Sequence, residues 1–118
     1  MQEIRVLLVD DEEEFTSALA ERLNMRGIST TTTSVGEEAL QMIETDPPQV
    51  VLLDLMMPGL GGKEIFDRIR LKHPDISVIF LTGLGTEEIG PAACEDCFVK
   101  PVNINDLIQK IRSVSIKG

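Results

Sequence analysis

Short apolar runs separated by amphipathic segments constrain this chain more than any other feature. The runs lie at 4–9, 50–53 and 78–81, and Phe98-Val99 closes a fourth. They are continuous rather than alternating, the pattern of parallel strands covered on both faces. Residues 29–33 are β-branched but polar, as suits an exposed edge strand. Between the strands, 13–26 places Phe15, Ala18, Leu19 and Leu23 on one helical stripe, with Gly27 at the C′ position. Ser34 and Glu37 have capping-box spacing and open a helix with Ala39, Leu40 and Ile43 inward, closed by Asp46-Pro47-Pro48. A third helix spans 63–72 with Ile65, Phe66 and Ile69 inward and stops at His73-Pro74. A last one spans 105–114, capped by Asn103 or a neighbour. The alternation predicts an α/β domain with a parallel sheet and right-handed crossovers. Only residues 83–95 separate the last two strands. They can close a crossover of roughly a dozen residues, but Gly90-Pro91 interrupts any full helix there.

With 118 residues the chain is expected to form a single domain, 1–118, and with 42% hydrophobic residues it can bury a core without staples. A net charge of −9 argues against nucleic acid or anionic membranes as partners of this chain. Four phenylalanines and no Tyr or Trp leave little for a base-stacking surface. No apolar run approaches the ~20 residues of a membrane span. A cytoplasmic protein with reduced cysteines is expected.

Ligands of open α/β sheets bind at the carboxyl ends of the strands. At those ends stand Asp10, Asp11 and Glu12, then Asp54, Thr82 and Lys100. Clustered carboxylates call for a hard cation, and oxygen ligands suit Mg²⁺ or Mn²⁺. A carboxylate beside such an ion can attack phosphorus, while a lysine and a hydroxyl hold the transferred oxygens. Any one of these residues alone is ordinary turn or cap chemistry. Their joint placement at four strand ends is what points to a site.

The pieces "LLVDDEEEF", "VVLLDLMMPGLGGKEIFDRIR", "VIFLTG" and "FVKPV" resemble the receiver domain of two-component response regulators over roughly 4–114. The segment from Asp54 to Gly62, D-x-x-M-P-x-x-x-G, is the most diagnostic of them. The resemblance implies a flavodoxin-like, doubly wound five-stranded parallel sheet of order 2-1-3-4-5. It implies Asp54 as phosphoacceptor, with Thr82 and Lys100 completing the reactive set. Asp10, Asp11, Asp54 and the backbone carbonyl of Met56 would hold Mg²⁺, Asp11 directly and Asp10 through water. A sensor histidine kinase or a histidine phosphotransfer protein would be the donor, and a downstream protein the possible target. The protein would not be an enzyme beyond catalysing its own phosphorylation and dephosphorylation. It would be either a stand-alone receiver or part of a longer chain.

Two departures alter the expected output. Receivers usually carry an aromatic residue or His three positions before the lysine, as the partner of the switch Thr82; here it is Cys97. Phe98 does not replace it, because a one-residue shift in a strand reverses the face. The segment from Thr82 to Lys100 is also short by about four residues, roughly one helical turn. A shortened or absent fourth helix and a non-standard output surface are therefore expected. Met56 and Leu84, each two positions past a reactive residue, are apolar and cannot orient water, so a long-lived phosphoryl group is expected. Gly83 either leaves space beside the site or makes a tight turn.

Other readings fit less well. A degenerate receiver would bind partners without phosphorylation. An aspartyl-phosphate phosphatase would want a second acid two residues past Asp54, where Met56 stands. A flavin binder would want a hydroxyl- and Gly-rich loop where Asp10-Asp11-Glu12 stands. Cys94 and Cys97 run into a strand between acids, which raises a thiol pKa, and the one histidine, His73, is remote in sequence; a redox or zinc role is disfavoured.

Overall fold

A computed structural model describes residues 3–55, 57, 61–83, 97–100 and 102–117. Five strands, β1 (Ile4–Val9), β2 (Ile28–Thr33), β3 (Val50–Asp54), β4 (Ser77–Thr82) and β5 (Cys97–Val99), form one parallel sheet in the order β2-β1-β3-β4-β5. The described helices are α1 (Glu13–Met25), α2 (Gly36–Thr45), α3 (Gly62–Lys72) and α4 (Ile104–Lys117). The parallel α/β sheet is what the alternation predicts, and its doubly wound strand order is the one the receiver resemblance implies. The shortened helix expected between β4 and β5 falls on residues outside those described.

Strand alternation divides the core in two. On one face Val6, Leu8, Leu52, Ile79 and Leu81 pack against Leu19 and Leu23 of α1 and Leu107, Ile108 and Ile111 of α4. On the other, Leu7, Val9, Val51, Leu53, Val78 and Phe80 pack against Ala39 and Ile43 of α2 and Ile65 and Ile69 of α3. Every residue of β3 is buried, which is why its sequence shows no polar alternation. The threonine-rich β2 lies at an edge, with Thr31 and Thr32 exposed.

Gly27 has φ +82° and its N–H donates to the Asn24 carbonyl at 3.1 Å, ending α1 as expected. Asn103 Oδ1 accepts the Asp106 N–H at 3.1 Å and starts α4. The α1 stripe needs correcting. Ala18 is exposed, whereas Thr16 and Ala20 are buried. The Thr16 hydroxyl donates to the Glu12 carbonyl at 2.8 Å, so this polar residue is satisfied inside. The capping box at Ser34 and Glu37 also does not form. Val35 is the N-cap of α2 and Ser34 is exposed. Thr33, one position earlier, accepts the Val35 N–H at 3.2 Å and donates to Glu38 Oε1 at 2.8 Å. Burial of Thr33 at the strand end fixes its hydroxyl there first.

Candidate functional site

Three backbone hydrogen bonds carry the sheet register past the strand ends. Asp10 N–H donates to Thr33 O at 3.1 Å, Leu55 N–H to Leu81 O at 3.2 Å, and Lys100 N–H to Thr82 O at 2.8 Å. The segments bearing Asp10, Asp54, Thr82 and Lys100 are thus held by the sheet rather than by flexible loops, as a preorganised site requires. Asp10 is fully buried, Asp54 is 3% exposed and Thr82 2%.

The buried ammonium of Lys100 organises the charges. Its Nζ lies 2.7 Å from Asp10 Oδ2, touches Glu12 Oε1, and stands 3.7 Å from Asp54 Oδ2. The Asp10 contact is an ion pair rather than a well-directed hydrogen bond. The Asp54 separation exceeds hydrogen-bond length altogether. The face of Phe15 is also near the ammonium, with its ring centre 4.6 Å from Nζ. Burial alone would lower the Lys100 pKa, but its contacts with Asp10 and Glu12 and the charges of Asp10 and Asp54 outweigh it and raise it. Asp10 Oδ1 accepts the Glu12 N–H at 2.9 Å, which anchors the start of α1 to the cluster.

Carboxylate oxygens of Asp10, Glu12 and Asp54 lie within 4.8 Å of one another. Asp11, expected as a direct metal ligand, is exposed and outside this group. Met56, whose carbonyl was the other expected ligand, lies outside the described residues, as do Leu84 and Cys94. Phe15 is a contributor that the sequence did not place at the site, and Glu12, placed at the strand end, was not foreseen as a partner of Lys100. The signal was their i, i+3 spacing at the start of a helix that begins beside Asp10.

Cys97 is half-buried and packs on the α2–α3 face, its position paired with Phe80. Phe98 packs on the opposite face, as the strand argument required. Among the described residues a Cβ at Gly83 would meet no atom within 4 Å, so there is space beside it; a turn reading involves residues 84–86, which lie outside those described. His73 engages Glu44 with Nε2 at 3.1 Å, close before the amino end of β4. The roomiest cleft among the described residues, about 860 Å³, also opens near that end, lined by Pro47, His73 and Pro74 among others. The buried charges, rather than cavity volume, mark the site. Among the described residues, no helix is long and apolar enough to cross a membrane.

Residues 6–112 match the family described as the response regulator receiver domain. A probable transcriptional regulator, ycf27, of Guillardia theta is 40% identical over 93% of this chain and 44% of its own length. The transcriptional regulatory protein CpxR of Klebsiella pneumoniae is 36% identical over 93% of this chain and 48% of its own. The chain thus spans about half the length of the curated relatives it matches. Among solved structures, the Thermotoga maritima response regulator TrrA, in complex with Mg²⁺ and BeF, is 33% identical. That match covers 94% of this chain and 98% of that one with a TM-score of 0.85. The Francisella response regulator 1452 receiver domain is 28% identical over 97% and 98%, with a TM-score of 0.87.

Proposed function

The chain belongs to the response regulator receiver family of two-component signalling, and from that premise we propose that it accepts a phosphoryl group on Asp54 from a phosphohistidine of a sensor kinase or phosphotransfer protein. One observation carries the reading. Two carboxylates, Asp10 and Asp54, are buried and a third, Glu12, adjoins them, with one ammonium among them. Buried charge of that sign is costly unless compensated. One positive charge against three negative ones leaves room for a divalent cation, and the oxygen donor set suits Mg²⁺, with Mn²⁺ as the alternative. Asp10, Asp11, Asp54 and the Met56 carbonyl would hold it. Bound there, Mg²⁺ supplies charge compensation for the phosphoryl oxygens.

The chain's own residues supply the rest. An Asp54 carboxylate oxygen forms the bond to phosphorus as the P–N bond of the phosphohistidine breaks, and the bonding pair leaves with the imidazole nitrogen. Lys100, whose ammonium lies at Asp10 and Glu12 and 3.7 Å from Asp54 Oδ2, would turn toward the phosphoryl oxygens. Thr82, at the end of the neighbouring strand, offers its hydroxyl. Burial of Asp54 keeps water from the acyl phosphate, and the apolar Met56 and Leu84 give water no orienting group, so the phosphoryl group is long-lived. The protein catalyses only its own phosphorylation and dephosphorylation. With its net charge of −9 the chain itself does not engage nucleic acid. It works in the cytoplasm, switching a surface read by a protein partner.

The test is incubation with Mg²⁺ and a small phosphodonor, followed by intact mass. The parent should gain one phosphoryl group and Asp54→Asn none. A parent that gains nothing would leave a domain that binds partners without phosphorylation.

A further inference from the structure

Lys100 has three N–H donors to place. It meets Asp10, Glu12 and the face of Phe15, while Asp54 Oδ2 stands at 3.7 Å. To serve a phosphoryl group on Asp54, the ammonium has to turn away from part of this set. Asp10 is not the partner that can yield. It is fully buried, and its other oxygen is held by the Glu12 N–H at 2.9 Å. Phe15 is part of the α1 packing. Glu12 is different: its side chain is 61% exposed, whereas that of Lys100 is 12% exposed. Water can replace the lysine at the Glu12 carboxylate, so this is the contact released at least cost. Its position is not accidental. Glu12 is the N-cap of α1, and its backbone holds Asp10 while its side chain holds Lys100.

We propose that Glu12 is a positioning residue: it holds the Lys100 ammonium short of Asp54 and thereby slows phosphoryl acceptance. This rests on the phosphoacceptor reading of Asp54. A glutamate at a helix N-terminus is ordinarily only a complement to the helix dipole. That role involves no lysine, so the two accounts separate in a double-mutant cycle.

Glu12→Gln keeps the shape and removes the charge. Two readouts on the intact chain are needed. The first is hydrogen exchange at the Lys100 ammonium, followed by nitrogen-resolved NMR without metal. Glu12→Gln should speed it by about tenfold, the size expected for losing a charge-assisted hydrogen bond. The second is the rate of adduct formation on Asp54 at saturating Mg²⁺ and phosphodonor. Glu12→Gln should raise it severalfold, and in the Lys100→Met background the same change should leave it unaltered. A general effect of charge on an anionic donor would survive in that background and would overturn the proposal. So would an equal or slower rate in Glu12→Gln when the parent is phosphorylated, or unchanged ammonium exchange. If the parent gains no Asp54-dependent adduct, the phosphoacceptor reading fails and takes this role with it. The exchange measurement would then still read the Glu12–Lys100 contact by itself.

Discussion

Replacing Gly62 by alanine should destabilise the domain, and the structure gives the reason. Gly62 is the first residue of α3 and is buried. A Cβ there would stand 2.5 Å from the Asp54 carbonyl oxygen, 2.8 Å from Leu55 Cα and 3.2 Å from the Asp54 carbonyl carbon. Ordinary contact begins near 3.4 Å, so the shortfall at the oxygen is roughly an ångström. All three atoms are backbone and cannot rotate away. Either α3 lifts or the end of β3 moves. Overpacking of this kind costs about 1–3 kcal/mol. The better helix propensity of alanine returns at most ~1 kcal/mol. A net loss of about 1–2 kcal/mol follows, or about 4–8 °C in Tm for a domain of this size.

Gly61→Ala is the matched control. It adjoins Gly62 as the N-cap, its φ of −76° is open to any residue, and a Cβ there meets nothing within 4 Å. It should lie within about 0.5 kcal/mol of the parent, because loss of unfolded-state freedom offsets a weaker cap. Urea unfolding of the three proteins reads the difference directly. Equal midpoints for the two variants would refute the steric argument. A second reading follows from where the clash falls. The displaced carbonyl belongs to Asp54, so Gly62→Ala should also slow phosphorylation, while Gly61→Ala should not.

Because the Lys100 pKa is raised in the folded state, its contribution to stability is complete below the ordinary lysine value of 10.5 and is lost as pH rises through the higher folded value; unfolding midpoints taken across that range should fall, and less steeply in Lys100→Met. The Glu44 pKa is lowered, first by hydrogen bonding to His73 and then by the Lys72 charge. Its contribution is therefore present above 4.5 and lost as pH falls through the folded value, a small effect at an exposed site that Glu44→Gln should remove from an acid titration of stability. Thr33→Val keeps the shape but abolishes the bonds to Val35 N–H and Glu38, and should cost about 1–2 kcal/mol in urea unfolding, mostly from the orphaned Val35 N–H.

The sheet was legible because burial on both faces leaves β3 no polar residue before Asp54 at its end and leaves few in β1 and β4, a pattern that helices of this length do not share. The helix stripes were less so. Around Leu19, Ala18 and Ala20 are equivalent to a periodicity argument, and only packing against the sheet selects Ala20. Thr16 was hidden for another reason: its polarity suggested solvent, but Glu12 O satisfies its hydroxyl. Ser34 and Thr33 present the same difficulty, since two hydroxyls stood near the start of α2 and strand burial decided between them. At the site, Asp10, Asp54, Thr82 and Lys100 could be gathered because each closes a strand, and parallel strands bring their carboxyl ends together. Glu12 follows the same strand end as Asp10, but its pairing with Lys100 could not be read that way. Its contact with Lys100 spans 88 positions and depends on the first turn of α1 facing the far edge of the sheet.

Cys97 bears on how such a site reports its state. Phe80, Thr82 and Cys97 belong to paired strands, and the register sets Phe80 opposite Cys97 and Thr82 opposite Val99. Alternation puts the side chains of these positions on the α2–α3 face, where Phe80 and Cys97 are both packed. A thiol is too small to exchange between inward and outward positions as a ring does. The aromatic volume on this face belongs instead to Phe80 and Phe66, whose ring centres are 5.1 Å apart, with Phe80 buried and held by its strand. Under the proposed function, a Thr82 that moved toward Asp54 would have no ring at position 97 to drive. One direct link between Thr82 and the β5 segment is the backbone, where Thr82 O accepts the Lys100 N–H at 2.8 Å. Under the proposed function, a displacement of Thr82 along that bond would carry Lys100 and the short edge strand, with its exposed Val99, along with it.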